Sequence, residues 1–410
     1  MRMKEIIACL LVMMFLVSSM PMMSVPAAAH PDTGVPSNPD EIKAVARTVL
    51  VDEIMRYLRA TYLGETVKHL GRDALREAAS NYPHYPRQIT DSAGREVRIY
   101  KPIKRIITPN GDCMPVLRAL NATDKIVGVN KYTIKNTLFY PEFSNYLNIG
   151  SVWSPDYEEM VCCSPDTVIL YATIFKSQCE AIESALSAID PDITFIWVDC
   201  YRPSSQVEEA RKLGYLLEKE EEAEKWIDFY EGFLNPIYDT VDDMPEENRI
   251  KVYIECWKPY HTAAGNAGWH KKIELVGGYN IFRELTVDYP DVDPENVTYQ
   301  NPEVIIRIAK TEGGYDTSDI TELSGLRGEI MNRPELANVT AVKNERVYVI
   351  NSDILSGTGH FVGMGYIAKW LYPDLFTNLN PEAAHRRYLT EFQGLSDSLV
   401  NNGVFVYPSI

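Results

Sequence analysis

Apolar residues recur with helical spacing over a long stretch near the middle of the chain, residues 205–242. In its second half the gaps alternate between four and three, which gives an α-helix one apolar side over about five turns. A charged run, Glu218–Lys225, separates the two halves and fits a solvated face. Pro236 opposes a continuous helix, because proline removes a backbone hydrogen bond. We predict one helix over 205–242 with a kink at Pro236; the alternative is a surface helix broken at Asn235. The apolar positions are Val207, Ala210, Leu213, Leu217, Ala223, Ile227, Tyr230, Leu234, Ile237 and Val241.

Short, almost wholly apolar runs alternate with amphipathic segments on both sides of this predicted helix. Such runs are typical of strands buried on both faces of a parallel sheet, with helices covering the sheet. The pattern therefore predicts two α/β lobes, the first of which opens with a hairpin over residues 87–99. The predicted strands are 105–109, 126–129, 167–171 and 193–198 in the first lobe, and 251–255, 304–308 and 346–350 in the second.

The N-terminus has the pattern of a secretory signal peptide. Arg2 and Lys4 precede an apolar run over residues 6–17, and small residues follow up to Ala29. The apolar run is short for a membrane span. We therefore predict residues 1–29 to be a signal peptide cleaved near Ala29, and the mature protein to lie in the periplasm or on the outer cell surface.

The remaining chain divides by pattern into four parts. Residues 30–86 are predicted to form a linker and a helical N-terminal extension, with the helical pattern over 40–81 and a break near Gly64. This extension suits either a stalk or a cap on the first lobe. The other predicted parts are the N-terminal lobe 87–204, the connecting helix 205–242 and the C-terminal lobe 243–410.

Composition and motifs exclude several classes of function. The net charge of −17 argues against nucleic acid, whose binding requires a basic surface. Six of the seven cysteines follow the predicted signal peptide, and without a CxxC pair they do not indicate a structural zinc site. No GxSxG, HExxH or Walker A motif is present. We predict no catalytic residue, no metal site, no resident cofactor and no enzymatic activity.

Two glutamates occupy equivalent places in the two predicted lobes. Glu158 is followed seven residues later by Pro165 and a buried strand, and Glu295 stands at the same distance from Pro302 and another buried strand. An acidic residue in the first turn of a helix also stabilises the helix by itself. The equal spacing nevertheless indicates matched points on a pseudo-symmetric molecule, which suits a two-fold partner.

Aromatic residues are concentrated where the predicted strands end. Ligands of open α/β sheets bind outside the carboxyl ends of the strands, and between two lobes those ends form a cleft. We predict a cleft lining that suits a large, partly apolar ligand with polar groups at its rim. Six lysines near the same loops could meet an anionic chelate or could simply be surface residues: Lys131, Lys135, Lys176, Lys258, Lys271 and Lys272. The predicted lining residues are Tyr132, Trp153, Tyr171, Trp257, Tyr289 and Asp353.

An ordered set of short motifs resembles the iron-chelate and cobalamin substrate-binding proteins of ABC importers. The resemblance extends from Gln88 to the C-terminus, and its specificity comes from the order of the motifs. Two features depart from that family: Met114-Pro115 stands where many members have Thr-Glu, and the extension 40–81 has no usual counterpart. The motifs are Thr90–Val97, Arg105–Ile107, Leu117–Leu120, Asp124–Val129, Gly150–Glu158, Ser164–Asp166, Glu274–Gly278, Asn280–Phe282 and Asn301–Glu303.

The resemblance implies two Rossmann-like α/β lobes with parallel sheets, joined by a single long helix, with the ligand cleft between them and little hinge motion. It implies that Glu158 and Glu295 dock on arginines of the two permease subunits. It also implies that the six lining residues named above lie at or beside the positions that line the cleft in cobalamin-binding members.

The predicted function is capture of a metal chelate and its delivery to an ABC permease dimer with its ATPase. An iron(III)-siderophore type of chelate comes first, and cobalamin or another corrinoid second. The alternatives are a metal-chelatase-like enzyme of similar two-lobed fold, which needs a His/Glu pair or cluster cysteines in the cleft, and a cell-surface structural protein.

Overall fold

The computed structural model describes residues 35–36, 38–63 and 84–409. The chain forms two compact units, residues 1–87 and residues 88–410. The predicted signal peptide lies outside the described residues. Within the described ranges, no helix is long and apolar enough to cross a membrane.

The described part of the first unit is mainly one helix, α1, Pro39–Leu58. The side chain of Asn38 caps it by accepting hydrogen bonds from two backbone N–H groups of the first turn, at 3.0 and 3.1 Å. A π-helical turn, Arg59–Leu63, continues the helix. The predicted helical pattern over 40–81 is thus helical in its first part, and residues 64–81 lie outside the described residues.

The second unit begins with the predicted hairpin and a five-stranded sheet. The sheet has the order β5-β4-β3-β8-β9, and all its pairs are parallel. Every residue of β8 is buried, as its Thr-Val-Ile-Leu sequence requires. The strands of this half are β1 Arg87–Thr90, β2 Glu96–Ile99, β3 Ile106–Thr108, β4 Ile126–Val129, β5 Leu147–Asn148, β6 Gly150–Ser151, β7 Ser154–Pro155, β8 Thr167–Leu170 and β9 Thr194–Trp197; its helices are α2 Met114–Ala119, α3 Lys131–Lys135, α4 Tyr157–Cys162 and α5 Lys176–Ile189.

The connecting segment differs from the prediction of one helix over 205–242. It consists of two helices, α6, Gln206–Leu217, and α7, Glu220–Val241. The chain reverses at Glu218, which has the left-handed φ of 60°. The two helices pack against each other where Gly214 faces Ala223, because a Cβ on Gly214 would lie only 2.5 Å from the Cβ of Ala223.

Helix α7 is therefore the single long helix between the two sheets. At about 1.5 Å per residue it is about 33 Å long. Pro236 lies inside it without ending it, and the helix continues to Val241. The break between helices occurs instead at the start of the charged run, between Leu217 and Glu220. The small residues Gly214 of α6 and Ala223 of α7 allow the two helices to pack closely.

The C-terminal half has a second five-stranded sheet, of order β11-β10-β12-β13-β14. Its first three pairs are parallel, and β14 is an antiparallel edge strand. The α/β prediction with two parallel sheets and a connecting helix is confirmed. The strands are β10 Ile250–Cys256, β11 Gly278–Asn280, β12 Val304–Ala309, β13 Val347–Asn351 and β14 Val406–Tyr407; the helices are α8 Gly268–Leu275, α9 Pro294–Gln300, α10 Thr321–Met331, α11 Thr340–Lys343, α12 His360–Leu371, α13 Pro381–Arg387 (followed by a π-helical turn, Tyr388–Phe392) and α14 Ser398–Asn401.

The two lobes are joined by side-chain contacts as well as by α7. Trp226 of α7 packs edge-on against Phe361 of α12, with 6.0 Å between ring centroids. The Thr358 hydroxyl, which has one proton to donate, lies within hydrogen-bond distance of the backbone oxygens of both Asp112 and Cys200 in the other lobe, at 3.0 and 3.1 Å. Thr358 is buried. These contacts fix the relative position of the lobes at the base of the cleft.

All six cysteines of the described chain are free thiols, and five of them are buried. The exception is Cys162, which is exposed. The buried thiols pack as small apolar side chains, and burial raises the pKa of Cys163 and Cys179 to about 11.

Candidate functional site

A pocket of about 290 Å³ lies at the carboxyl ends of β3, β4 and β8. This is the place where ligands of parallel sheets bind. Three of the predicted lining residues, Tyr132, Trp153 and Tyr171, share this pocket. Trp153 is 62% exposed and its ring meets Phe175 edge-on at 4.7 Å. The residues that line the pocket are Pro109, Gly111, Asp112, Asn130, Tyr132, Thr133, Asn136, Tyr140, Ser151, Val152, Trp153, Tyr171 and Phe175.

The floor of this pocket carries a carboxyl group on the loop after β3. The Tyr171 hydroxyl donates a hydrogen bond to Oδ2 of Asp112 at 3.1 Å. Burial raises the pKa of Asp112 to about 6, although this hydrogen bond and the Lys272 ammonium act in the opposite direction. A pocket with several aromatic residues thus also contains an acidic acceptor.

Asn130 lines the same pocket from the position directly after β4. Its Oδ1 accepts hydrogen bonds from the backbone N–H groups of Tyr132 and Thr133, at 2.9 and 3.1 Å, and so caps α3. Its Nδ2 is buried and has no hydrogen-bond partner among the residues described. Because Oδ1 meets two donors, the orientation of the amide is determined and Nδ2 must point away from the helix.

The C-terminal lobe presents a separate group of aromatic rings at the carboxyl end of β10. Trp257 lies 5.1 Å from Tyr289 and 5.2 Å from Trp269, measured between ring centroids, and 5.5 Å from His261. Trp257 is 40% exposed. Burial raises the pKa of Tyr289 to about 12, so its hydroxyl is neutral at physiological pH. The structure therefore brings together the two aromatic residues predicted for this lobe.

A buried ion cluster lies beneath Trp257. Glu255, with no exposed surface, accepts hydrogen bonds from Arg307 at 3.0 Å and from both terminal nitrogens of Arg333, at 2.6 and 2.9 Å. Arg307 also donates to the backbone oxygen of Trp257 at 2.6 Å. Trp257 and Tyr260 both have left-handed φ angles, of 62° and 58°. The cluster holds this unfavourable loop conformation and thereby positions the aromatic side chains.

Asp353 belongs to neither aromatic group. It follows β13 and packs closely against Gly314, since a Cβ added to that glycine would lie 2.9 Å from Oδ2 of Asp353. Desolvation, with a further contribution from the Asp316 carboxylate, raises the pKa of Asp353 to about 6. The loop that follows Asp353 does reach the pocket floor, because a Cβ on Gly357 would lie 3.3 Å from Oδ1 of Asp112.

The predicted lysines are in different environments. Lys258 pairs with Asp291 at 2.9 Å, and Lys271 lies 3.7 Å from Glu274. Lys272 is buried and donates to the backbone oxygen of Leu355 at 2.8 Å; burial lowers its pKa to about 8. Lys131 lies over the ring of Tyr132, at 5.2 Å from its centroid. Lys135 and Lys176 are exposed.

Glu158 and Glu295 lie in equivalent short helices, α4 and α9. Each is exposed, in the first turn of its helix, and forms no ion pair with another described residue. The caps also match: Asp156 accepts from a backbone N–H of α4 at 3.1 Å, and Asp293 accepts from the N–H of Glu295 at 2.8 Å.

The equivalence continues beyond the two helices. Ser164 and Asn301 end them with left-handed φ angles of 44° and 49°. The next acidic residue in each lobe then binds the backbone N–H at the start of a neighbouring strand: Asp166 accepts from Arg105 at 3.1 Å, and Glu303 accepts from Lys251 at 3.0 Å. Each helix is thus tied to its own sheet in the same way.

Sequence reasoning missed the polar floor of the N-terminal pocket. Asp112 lies on the loop after β3 and Asn130 directly follows β4, so the same rule that singled out Tyr132 applies to both. These side chains are small and polar, so the aromatic pattern of the loops does not indicate them. In the described chain, no group of three or more His, Cys, Asp or Glu side chains is placed to hold a metal ion.

Comparison with known proteins adds to this geometry. The sequence profile of the family described as "Periplasmic binding protein" matches residues 106–354. An uncharacterised ABC transporter substrate-binding lipoprotein of Bacillus subtilis, YvrC, is 21% identical over 297 residues, 71% of this chain and 87% of that protein. The molybdate-binding protein MolA of Haemophilus influenzae is 24% identical over 343 residues, 75% of this chain and 90% of that protein.

A solved structure is similar in fold. The TroA-like periplasmic binding protein FepB of Veillonella parvula has a TM-score of 0.69 and 22% sequence identity, with 78% of this chain and 99% of that chain covered. The family profile spans the connecting helix and parts of both lobes, where most of the sequence motifs lie. The chain therefore belongs to the periplasmic binding protein family, the group of ABC-importer substrate-binding proteins that its sequence motifs resemble.

Proposed function

We propose that this protein captures a metal chelate outside the cytoplasm and delivers it to the permease of an ABC importer. The observation that carries the proposal is the pair of aromatic surfaces, one at the strand ends of each lobe. The named relatives, a substrate-binding lipoprotein and a molybdate-binding protein, support an extracytoplasmic transport role. The predicted signal peptide supports the same location.

The aromatic surfaces favour a ligand with large apolar faces. Trp153 and Trp257 are 62% and 40% exposed, so each indole has ring surface available to a ligand. A small oxyanion such as molybdate is recognised mainly by hydrogen-bond donors and does not require aromatic surfaces on two lobes. We therefore place an iron(III)-siderophore type of chelate first and a corrinoid second.

The charges near the cleft support a ligand with few free anionic groups. Arg307 and Arg333 are both bound to Glu255, while Lys258 and Lys271 have acidic neighbours. Much of the cationic charge is thus neutralised before a ligand arrives. A chelate whose donor atoms are already occupied by the metal fits such a site better than a free polyanion.

Tryptophan-fluorescence titration tests the ligand class. The protein is titrated with a ferric hydroxamate, a ferric catecholate, haem and cobalamin, and we expect saturable quenching by at least one of them. Trp153→Phe should remove part of the quenching while keeping an aromatic ring in the pocket. Absence of saturable quenching by all four compounds would contradict the chelate proposal.

The docking role of Glu158 and Glu295 is tested separately. Both side chains are exposed, and two carboxylates on a rigid frame suit two arginine-bearing subunits. The double variant Glu158→Ala/Glu295→Ala should abolish uptake of the chelate by cells while leaving its affinity within about twofold of wild type. The matched control, Glu180→Ala/Glu322→Ala, removes one exposed glutamate from each lobe and should leave uptake unchanged. A loss of affinity in the first variant would instead place these residues in the ligand site.

A further inference from the structure

We propose that Tyr299 is a docking residue whose ring stacks on an arginine guanidinium of the permease while the carboxylate of Glu295 binds the same group. This inference deepens the proposed docking role of Glu295 and rests on it. It makes the contact of the C-terminal lobe stronger than the contact of the N-terminal lobe.

The side chain of Tyr299 is open to a partner. At 86%, it is the most exposed large hydrophobic side chain of the described chain. It forms no ring pair, cation–π contact or side-chain hydrogen bond with another described residue. A single exposed aromatic residue is ordinary on a protein surface. The argument for a function therefore depends on what lies beside this ring.

Helix α9 places the ring of Tyr299 next to the carboxylate of Glu295. The two residues are four positions apart within Pro294–Gln300, so they share one face of the helix, with about 5–6 Å between their Cβ atoms. Side chains of a helix lean toward its N-terminus, so the ring of Tyr299 extends toward the turn that carries Glu295. Both side chains are exposed, so one partner group has access to both.

The other side of α9 is fixed to its lobe. Val297 is fully buried in the same core cluster as Ile305 of β12. Oγ1 of Thr298 lies within hydrogen-bond distance of the backbone oxygens of Pro294 and Glu335, at 3.1 and 3.2 Å. The exposed face of α9 is therefore preformed, and a partner that binds it does not have to order the helix.

A carboxylate and an aromatic ring on one face are the groups that recognise a guanidinium. The carboxylate accepts two N–H groups in the plane of the guanidinium, and the ring attracts its flat side. A lysine ammonium pairs with the carboxylate as a point charge but has no flat side that stacks. Glu295 has no ion-pair partner among the described residues, so its charge is available. The face therefore fits an arginine side chain of a partner protein, and the permease is the partner already proposed for Glu295.

The corresponding face of α4 has no aromatic ring. Met160 and Val297, each two residues after the glutamate of its helix, are both fully buried, which fixes the register between the two helices. In this register the equivalent of Tyr299 is Cys162, which is also exposed. The two lobes thus present the same charge to the permease, but only the C-terminal lobe adds a ring at this position.

Binding to membranes tests the inference. The probe is right-side-out membrane vesicles from cells that produce this protein, washed free of the native chain, and bound protein is measured by sedimentation. Docking is the part of the binding that Glu158→Ala/Glu295→Ala removes. Tyr299→Ala and Tyr299→Leu should each weaken it about three- to thirtyfold, because neither side chain stacks on a guanidinium. Tyr299→Phe keeps the ring and should bind within about twofold of wild type, as should Cys162→Ala.

The matched control is Leu375→Ala, since Leu375 is 54% exposed in the same lobe and lies outside α9; it should bind as wild type does. Vesicles made only from the extracted lipids distinguish a lipid from a protein partner, and the wild type should not bind them with comparable affinity. Wild-type binding by Tyr299→Ala or Tyr299→Leu would overturn the inference. An equal loss in Cys162→Ala, or equal binding to the lipid vesicles, would overturn it as well.

The same measurement separates this inference from the proposed function. If Glu158→Ala/Glu295→Ala loses binding and Tyr299→Ala does not, the docking role of the glutamates stands and that of Tyr299 falls. If the double variant binds as wild type does, both docking roles fall. Tryptophan quenching by the chelate, which Tyr299→Ala should leave unchanged, decides separately whether the protein captures a ligand.

Discussion

Replacing Glu255 by glutamine should destabilise the protein strongly, although the two side chains have nearly the same shape. The carboxylate is fully buried and accepts five hydrogen bonds, three from arginine nitrogens, one from the backbone N–H of Tyr260 and one from the hydroxyl of Tyr253. Glutamine turns one acceptor oxygen into a donor that faces other donors. It also leaves two arginines without a negative partner.

The size of the effect follows from the contacts that are lost. Whichever oxygen becomes the amide nitrogen, at least one hydrogen bond from Arg333 is lost, together with that from Arg307 or that from Tyr260. A hydrogen bond to a charged group contributes about 1.5–3 kcal/mol, and removal of one partner from a buried ion pair costs about 3–5 kcal/mol. We therefore expect the free energy of unfolding to fall by about 3–5 kcal/mol.

Urea unfolding, followed by tryptophan fluorescence, measures this change as a lower midpoint with a similar slope. Glu246→Gln is the control: Glu246 pairs with Arg283 at 3.1 Å at the surface, so its replacement should cost less than about 1 kcal/mol. Chelate affinity should also fall in Glu255→Gln, because Arg307 holds the backbone of Trp257. A change below about 1 kcal/mol in Glu255→Gln would refute the argument that this cluster holds the loop.

Three further predictions concern the cleft. Trp153→Ala and Trp257→Ala should each weaken chelate binding about five- to thirtyfold, since a buried aromatic contact contributes about 1–2 kcal/mol; unchanged titrations would contradict this. The pKa of Asp112 is raised in the folded protein to about 6, so its contribution to stability is present below about pH 4 and is lost as the pH rises through 6. Asp112→Asn should therefore reduce the drop in Tm between pH 4 and pH 7 of ligand-free protein, and an equal drop would show that Asp112 is not its cause. Thr358→Val removes the hydroxyl that donates to backbone oxygens of the other lobe and should cost about 1–3 kcal/mol in urea unfolding, more than the same change at the exposed Thr390.

The sequence predicts the long apolar strands well and the short edge strands poorly. β8 and β12 are mainly apolar, apart from Thr167 and Arg307, and every residue in them is buried; such runs have few alternatives to a covered sheet. β5 consists of Leu147–Asn148, both exposed, and β11 contains a glycine, a tyrosine and an asparagine. These strands depend on the neighbours with which they pair, so their own residues give little signal.

The break between α6 and α7 illustrates the same limit. Helical periodicity continues through Glu218, a residue that rarely adopts a left-handed φ. The decisive feature is the close contact between Gly214 and Ala223, which are distant enough in sequence that only the folded hairpin brings them together. Pro236, which looked like the obstacle, is accommodated in α7.

For the site, sequence order could place residues on loops but could not say which loops share a pocket. Tyr132 and Tyr171 share a pocket because β4 and β8, which they follow, both flank β3 in the sheet, and Trp153 reaches the same pocket from the turn between β6 and β7. Asp353 follows a strand of the other sheet and is not among the residues that line the described pocket. The sequence does not reveal that the amide nitrogen of Asn130 lacks a partner in the described chain, because this depends on the cap that Asn130 forms on α3 and on its contact with Gly111.

The matched ties of α4 and α9 to their sheets have a consequence for binding thermodynamics. Asp166 and Glu303 fix the two helices to strands at 3.1 and 3.0 Å, and buried contacts fix the sheets to each other. If the proposed docking holds, the two exposed carboxylates of Glu158 and Glu295 act as a bivalent ligand on a rigid spacer. When one carboxylate has bound, the second has a high effective concentration at a receptor whose two sites match the separation of the carboxylates. At a receptor with another spacing, the second carboxylate cannot reach its site. Affinity for a two-subunit partner can therefore greatly exceed the affinity of either contact, while a single exposed arginine elsewhere gains no such advantage.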